Sequence, residues 1–93
     1  MASYLMFGKY SHEGMKAVSA ERTVKANALI KAHGGTVKAG YMLLGDVDIV
    51  LILDLPNTET AMQVSMGLAK LLGIGIVTSP AVGVEEFDKL IEK

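Results

Sequence analysis

Arg22 is the charge in this chain whose setting most demands a partner. On a helical wheel of about 100° per residue, the stretch from Val18 to His33 places Arg22 among Val18, Ala26, Leu29, Ile30 and His33, an otherwise apolar stripe. A guanidinium there must reach back to water, pair with an acid of the fold, or hold an anionic ligand. Few groups could join it. Asp48 fits as an acid partner if its strand face lies under the helices. Tyr10 and Tyr41 could donate phenolic hydrogen bonds into a cavity, though buried tyrosines serve equally well as core. His12 and His33 belong to the residue type that switches charge near neutrality. His12 follows a strand end beside Glu13; His33 precedes Gly34, where the helix dipole already explains a cation. The expected ligand-binding set is Arg22, Tyr41, Asp48 and His12. Carboxylates are the expected ligand class, because the guanidinium fork matches them in a bidentate way.

Other chemistries find little support in the spacing. Asp48 and Asp54 share a strand face but sit roughly 20 Å apart at strand rise, beyond the ~10 Å that even a widely spaced acid–base pair spans. Ser65, Thr78 and Ser79 have no neighbouring base to make a nucleophile. No His/Asp/Glu spacing resembles a metal site, so neither a metal nor another cofactor is expected, and no catalytic residue is assigned. Gly40 to Gly45 is followed by Asp46 rather than Lys-Ser/Thr, so it is not a phosphate-binding loop. Gly73-Ile74-Gly75 opens a strand, the wrong setting for a dinucleotide fingerprint.

The elements that would position these residues follow from hydrophobic period and punctuation. Residues 3–10 read as a first strand. Ser11 to Gly14 forms a turn, and residues 13–18 a short helical piece. Ser19 is placed to cap a helix over 20–33, closed by Gly34-Gly35. Residues 36–44 and 47–55 read as a hairpin about a tight Gly45-Asp46 turn. Asn57 or Thr58 caps a second long helix that runs to Leu72 before Gly73. Residues 74–82 form a fourth strand, and 84–93 a terminal helix with Phe87, Leu90 and Ile91 on one face. The order β-α-β-β-α-β predicts an antiparallel four-stranded sheet with both long helices on one side.

That arrangement leaves a sheet face bare, yet the third strand is aliphatic on both faces. Val47, Ile49, Leu51 and Leu53 alternate with Val50 and Ile52. The second long helix is also nearly encircled by apolar residues, including Met62 and Met66, where a surface helix keeps a polar face. In a 93-residue chain that is 51% apolar, with mean hydropathy +0.38, the expected cover is a second copy of the chain. A homodimer or higher oligomer is therefore expected.

A net charge of −1 and a pI near 6.1 argue against nucleic acid or an anionic membrane as partner, since both call for a basic face. With no cysteine there is no disulfide framework, which fits a reducing compartment. The opening residues lack the basic start of a signal peptide, and no apolar run reaches the ~18 residues of a membrane span. A cytoplasmic single-domain protein over residues 1–93 is the expectation.

Several of these segments together resemble a known family. Leu44-Gly45-Asp46-Val47-Asp48-Ile49-Val50 resembles the Gly-x-Tyr-Asp signature of small GYD-domain proteins. Tyr10-Ser11-His12-Glu13-Gly14 is similar to their Tyr-Thr-x-Glu-Gly approach to the first helix. Ser19-Ala20-Glu21-Arg22 is similar to a helix start ending in arginine, and Gly34-Gly35 falls where the family has its double glycine. The resemblance covers about Tyr4 to Gly73. It implies a ferredoxin-like α+β sandwich of the dimeric α+β barrel type, in which two sheets pack face to face, and a family without an assigned biochemical role. Val47 stands where the signature has tyrosine, and the fourth strand lacks the polar and basic residues the family tends to carry.

Three functions compete on this reading. The first is a homo-oligomeric small-molecule binding module with its pocket between sheet and helices. The second is a cofactor-independent isomerase or monooxygenase, by analogy with other dimeric α+β barrels. The third is a structural oligomer with no ligand. A polar group converging on Arg22 in a cavity would separate the first two from the last.

Overall fold

A computed structural model describes residues 1–92. Strand β1 (Ala2–Tyr10) leads through α1 (His12–Lys16) into α2 (Ala20–Ala32), and β2 (Thr36–Met42) and β3 (Ile49–Leu55) follow. Helix α3 (Thr58–Leu72), β4 (Ile74–Ala81) and α4 (Val84–Ile91) complete the chain. The sheet order is β2-β3-β1-β4, and every neighbouring pair is antiparallel. This is the expected split βαβ topology with the two long helices on one face.

Local chemistry accounts for the helix ends. Ser11, Ser19 and Asn57 each place a side-chain oxygen on the amide three residues on, at 2.9, 3.2 and 2.8 Å. These bonds satisfy first-turn N–H groups that no helical carbonyl can reach. At the other end of α3, Gly73 adopts φ 65° and its amide returns to the Ala69 carbonyl at 3.0 Å. A side chain would be strained in that left-handed conformation, so glycine is the natural stop.

Strand alternation sorts the sheet into two faces. Tyr4 and Met6 in β1, Leu53 and Leu55 in β3, and Ile74 in β4 are buried beneath the helices, against Ala26, Ile30, Val64 and Leu68. Each large apolar side chain so buried contributes about 1.5–3 kcal/mol relative to exposure. The intervening residues Leu5, Phe7, Val50 and Ile52 occupy the opposite face, where Leu5 pairs with Ile52 and Phe7 with Val50. They are half-buried by their neighbours in the sheet. On the same face Val77 and Tyr41 are exposed. An apolar face of this kind is what a two-sided third strand predicts.

Most boundaries fall within two residues of the sequence expectation, and the differences with a structural cause lie in the hairpin. Strand β3 starts at Ile49 rather than Val47, and β2 stops at Met42, so the Gly45-Asp46 turn widens into a connection over 43–48. The cause is Asp48. Its amide donates to the Gly8 carbonyl and its own carbonyl accepts from the Leu43 amide, both at 2.8 Å, which draws the segment onto β1. A bulge at Lys38 also interrupts the β2–β3 register. The terminal helix ends at Ile91, and the expected end at Lys93 lies outside the described residues. Among the described residues, no helix is long and apolar enough to cross a membrane.

Candidate functional site

A cleft of about 300 Å³ opens between α2 and the sheet. Helix α2 contributes Arg22, Thr23, Ala26, Asn27 and Ile30, and the sheet contributes Tyr10, Met42, Ile49 and Leu51. Ser19, the cap of α2, and Leu72, the end of α3, also line it. The floor is apolar and the polar groups lie along one side. Ser19, Thr23 and Asn27 recur every fourth residue and form a polar stripe beside the Arg22–Ala26–Ile30 stripe.

Arg22 is half-buried, and its guanidinium is held by backbone. Nη1 donates to the Gly14 carbonyl and Nη2 to the Leu71 carbonyl, each at 3.0 Å. Both carbonyls belong to the last turns of helices, α1 and α3, where the dipole is negative; the Gly14 carbonyl also accepts from the Ala17 amide at 3.2 Å. The fork of the guanidinium therefore ties two helix ends together. The same junction brings the Ser11 amide to the Gly73 carbonyl at 2.8 Å. It is so close that a Cβ at Gly14 would lie 2.8 Å from the Leu72 carbonyl oxygen. Among the described residues the ion pairs are Lys25–Glu21 at 3.4 Å and Lys38–Asp54 at 3.6 Å. Arg22 belongs to neither, so no carboxylate among the described residues pairs with it.

The other residues expected around Arg22 are dispersed. Asp48 accepts a hydrogen bond from the Tyr10 amide through Oδ2 at 2.9 Å, which makes it a latch on the end of β1 rather than the partner of Arg22. Tyr41 pairs with Val50 on the open sheet face and is 59% exposed, away from the cleft that its neighbour Met42 lines. His12 lies exposed on α1. The phenol at the cleft is that of Tyr10, whose position continues the inward series Tyr4, Met6, Gly8. His33 is tied locally: Nδ1 lies 2.9 Å from the Leu29 carbonyl, which can only accept, so that nitrogen carries the proton. Asp54 lies on the open face beside Ser3, which donates to it at 2.9 Å. Among the described residues, no three His, Asp or Glu side chains cluster in a way that could hold a metal ion.

The polar stripe of Ser19, Thr23 and Asn27 was missed in the sequence, where its four-residue spacing is the signal that could have found it and Ser19 was read only as a helix cap. The clamp of Arg22 on carbonyls carries no side-chain signature. A second groove, also about 300 Å³, runs between α3 and the β4 edge and is lined by Ala61, Met62, Met66, Ile76 and Pro80 among others. Ser65 and Thr78 bridge it with a 2.6 Å hydroxyl hydrogen bond.

Fold and sites together define a small α+β domain with a ferredoxin-like sheet and a cleft beneath its first long helix. The GYD-domain profile matches residues 4–91, and the chain belongs to the GYD-domain family. Among solved structures it is similar to the Mycobacterium tuberculosis leucine response regulatory protein LrpA, with a TM-score of 0.59 and 8% identity. The similarity covers 89% of this chain and 51% of that one, so the chain spans about half the length of that regulator. At that identity the likeness shows the fold alone. No curated protein matches the chain in sequence.

Proposed function

We propose that the protein is a homo-oligomeric small-molecule binding module whose site is the cleft under α2 and whose ligands carry a carboxylate. One observation carries this reading: the Arg22 guanidinium is fixed at the cleft wall by two carbonyls and has no acid partner among the described residues. Two bonds engage two of the five N–H donors of a guanidinium, which leaves donors for an anion. A donor held in place before binding loses little freedom on binding. Ala26, Ile30, Met42 and Leu51 would receive the apolar body of the ligand. The volume sits at the low end of ligand sites, which run about 300–1,000 Å³ and favour small metabolites.

The test is a thermal-shift screen of small carboxylates. Leucine belongs in the screen because the structural neighbour is named for a response to it. A ligand at 100 times its dissociation constant adds about 2.7 kcal/mol, or roughly 10–20 °C in a domain of this size. The control variant is Thr23→Phe, on the exposed rim of the cleft. It should keep the melting temperature of the free protein and lose the shift. A full set of carboxylates at millimolar concentration with no shift ends this reading.

Self-association draws support from the uncovered sheet face of Leu5, Phe7, Val50 and Ile52. Val50→Lys would place a charge at the centre of that face and should dissociate the oligomer, because an unpaired buried charge costs several kcal/mol. Sedimentation of the wild type as a monomer at tens of micromolar would overturn the oligomer.

A further inference from the structure

Helix α4 has no buried residue, yet it is strongly amphipathic. Val84, Phe87, Leu90 and Ile91 fall on one side, and Glu85, Glu86, Asp88 and Lys89 on the other. The four apolar side chains are 75%, 49%, 58% and 65% exposed. An eight-residue helix is well below the ~12–15 residues at which isolated helices become even marginal in water. Its apolar face needs a cover that its own chain does not supply.

The direction of α4 explains why. Gly83, its first flanking residue, is extended at φ −61° and ψ 151°, and α4 makes at most slight contact with the other elements of its own chain. The molecule is 50 Å long, whereas strands of this length span roughly 30 Å. The helix accounts for the excess and projects from the body. The same chain carries an empty groove between α3 and β4. Its rim is Met62 and Met66, 65% and 61% exposed, and Pro80 closes the strand side. Unbranched methionines adapt to the side chains of a docking helix, and a helix face read at i, i+3 and i+7 is a standard occupant of such grooves. Each apolar side chain of α4 offers on the order of 100 Å². Two helices exchanged by a two-fold axis, with the grooves that receive them, would cover on the order of 1,500 Å², the size of a standard interface.

We propose that α4 is an exchange arm, seating its Val84–Phe87–Leu90–Ile91 face in the α3/β4 groove of a second copy of the chain. The inference rests on the self-association reading above and assigns it a second contact, separate from the sheet face.

The chain has no native cysteine, so introduced thiols report without background. In the double variant Leu90→Cys/Met66→Cys, mild oxidation should link two chains, visible as a species of twice the mass on a non-reducing gel. Mixing the two single variants should give the same species. A disulfide within one chain would show that α4 folds back on its own groove, and no disulfide would show that it docks elsewhere; either overturns the proposal. Wild-type sedimentation separates the failures. A monomer removes self-association and the arm together, whereas a dimer without the Leu90–Met66 link removes the arm alone. As a second measure, Phe87→Ser/Leu90→Ser should weaken the dimer at least about 100-fold, given that buried aromatic and aliphatic anchors dominate such contacts. Its circular dichroism should stay close to that of the wild type, since α4 contributes nothing to the buried core. An unchanged dissociation constant would also overturn the arm.

Discussion

Arg22→Met tests whether the guanidinium is a structural clamp. Methionine keeps most of the apolar stem and removes the two bonds to Gly14 and Leu71. A hydrogen bond from a charged donor is worth about 1.5–3 kcal/mol when well shielded. Arg22 is only half-buried, so water can partly replace the lost donor at each carbonyl. Discounting each bond by about half leaves a loss of roughly 1.5–3 kcal/mol. In a domain of this size that is roughly a 10–20 °C fall in melting temperature. Arg22→Lys separates charge from geometry. An ammonium is a compact charge that cannot span two carbonyls as the planar fork does, so about 1–2 kcal/mol should still be lost. Urea unfolding followed by far-UV circular dichroism measures both, at one fixed protein concentration because self-association would add to apparent stability. If Arg22→Met stays within about 0.5 kcal/mol of wild type, the range of an ordinary surface substitution, the clamp contributes nothing and the argument for a prepositioned anion donor loses its footing.

Other substitutions probe the same framework. Gly14→Ala should destabilise by about 2–4 kcal/mol in a calorimetric scan, because the backbone it would strike cannot yield, and this outweighs the ~1 kcal/mol that alanine gains in a helix. Asp48→Ala should cost about 1–3 kcal/mol in urea by leaving the Tyr10 amide without its acceptor, while Asp48→Asn, which can still accept, should stay within about 1 kcal/mol. Leu68→Ala, at the fully buried centre of α3, should lose about 2–5 kcal/mol by the same measurement.

The parts of this fold written in local chemistry were legible in the sequence. Asn57, Gly73 and the spacing of Ala61, Val64, Leu68 and Leu72 specify α3 without reference to anything distant. The placement of Tyr41 was not legible. Alternation says that Ala39 and Tyr41 share a face but not which one, and β2 is an edge strand that is mostly exposed on both sides. Its faces are set by register with β3, and the bulge at Lys38 sends Val37 and Ala39 to opposite sides where simple alternation would keep them together. Asp48 failed for a related reason: its partners are the backbone of β1, forty residues distant in round figures, and backbone amides look alike in any sequence. Arg22 was expected to need an acid or an anionic ligand, and within the fold it meets two backbone carbonyls. A search among acids could not find carbonyls.

Three of the four segments that mark the family gather at one end of the molecule, while Gly34-Gly35 lies at the other, beside Leu55 and Pro56. Asp48, the acid of the hairpin signature, holds the last amide of β1. Ser11 and Gly14, from the approach to the first helix, seat α1 against Gly73. Arg22, at the close of the helix-start segment, ties that same α1 to α3. Each contact is made to backbone, and together they fix Tyr10 and Arg22, the phenol and the guanidinium at the cleft wall. The signature tyrosine can therefore be Val47 without loss of the latch, because the carboxylate and amide of Asp48 make its bonds. The contacts made by these segments set the position of the polar groups at the cleft, while Ala26, Ile30, Met42 and Leu51 line its apolar floor.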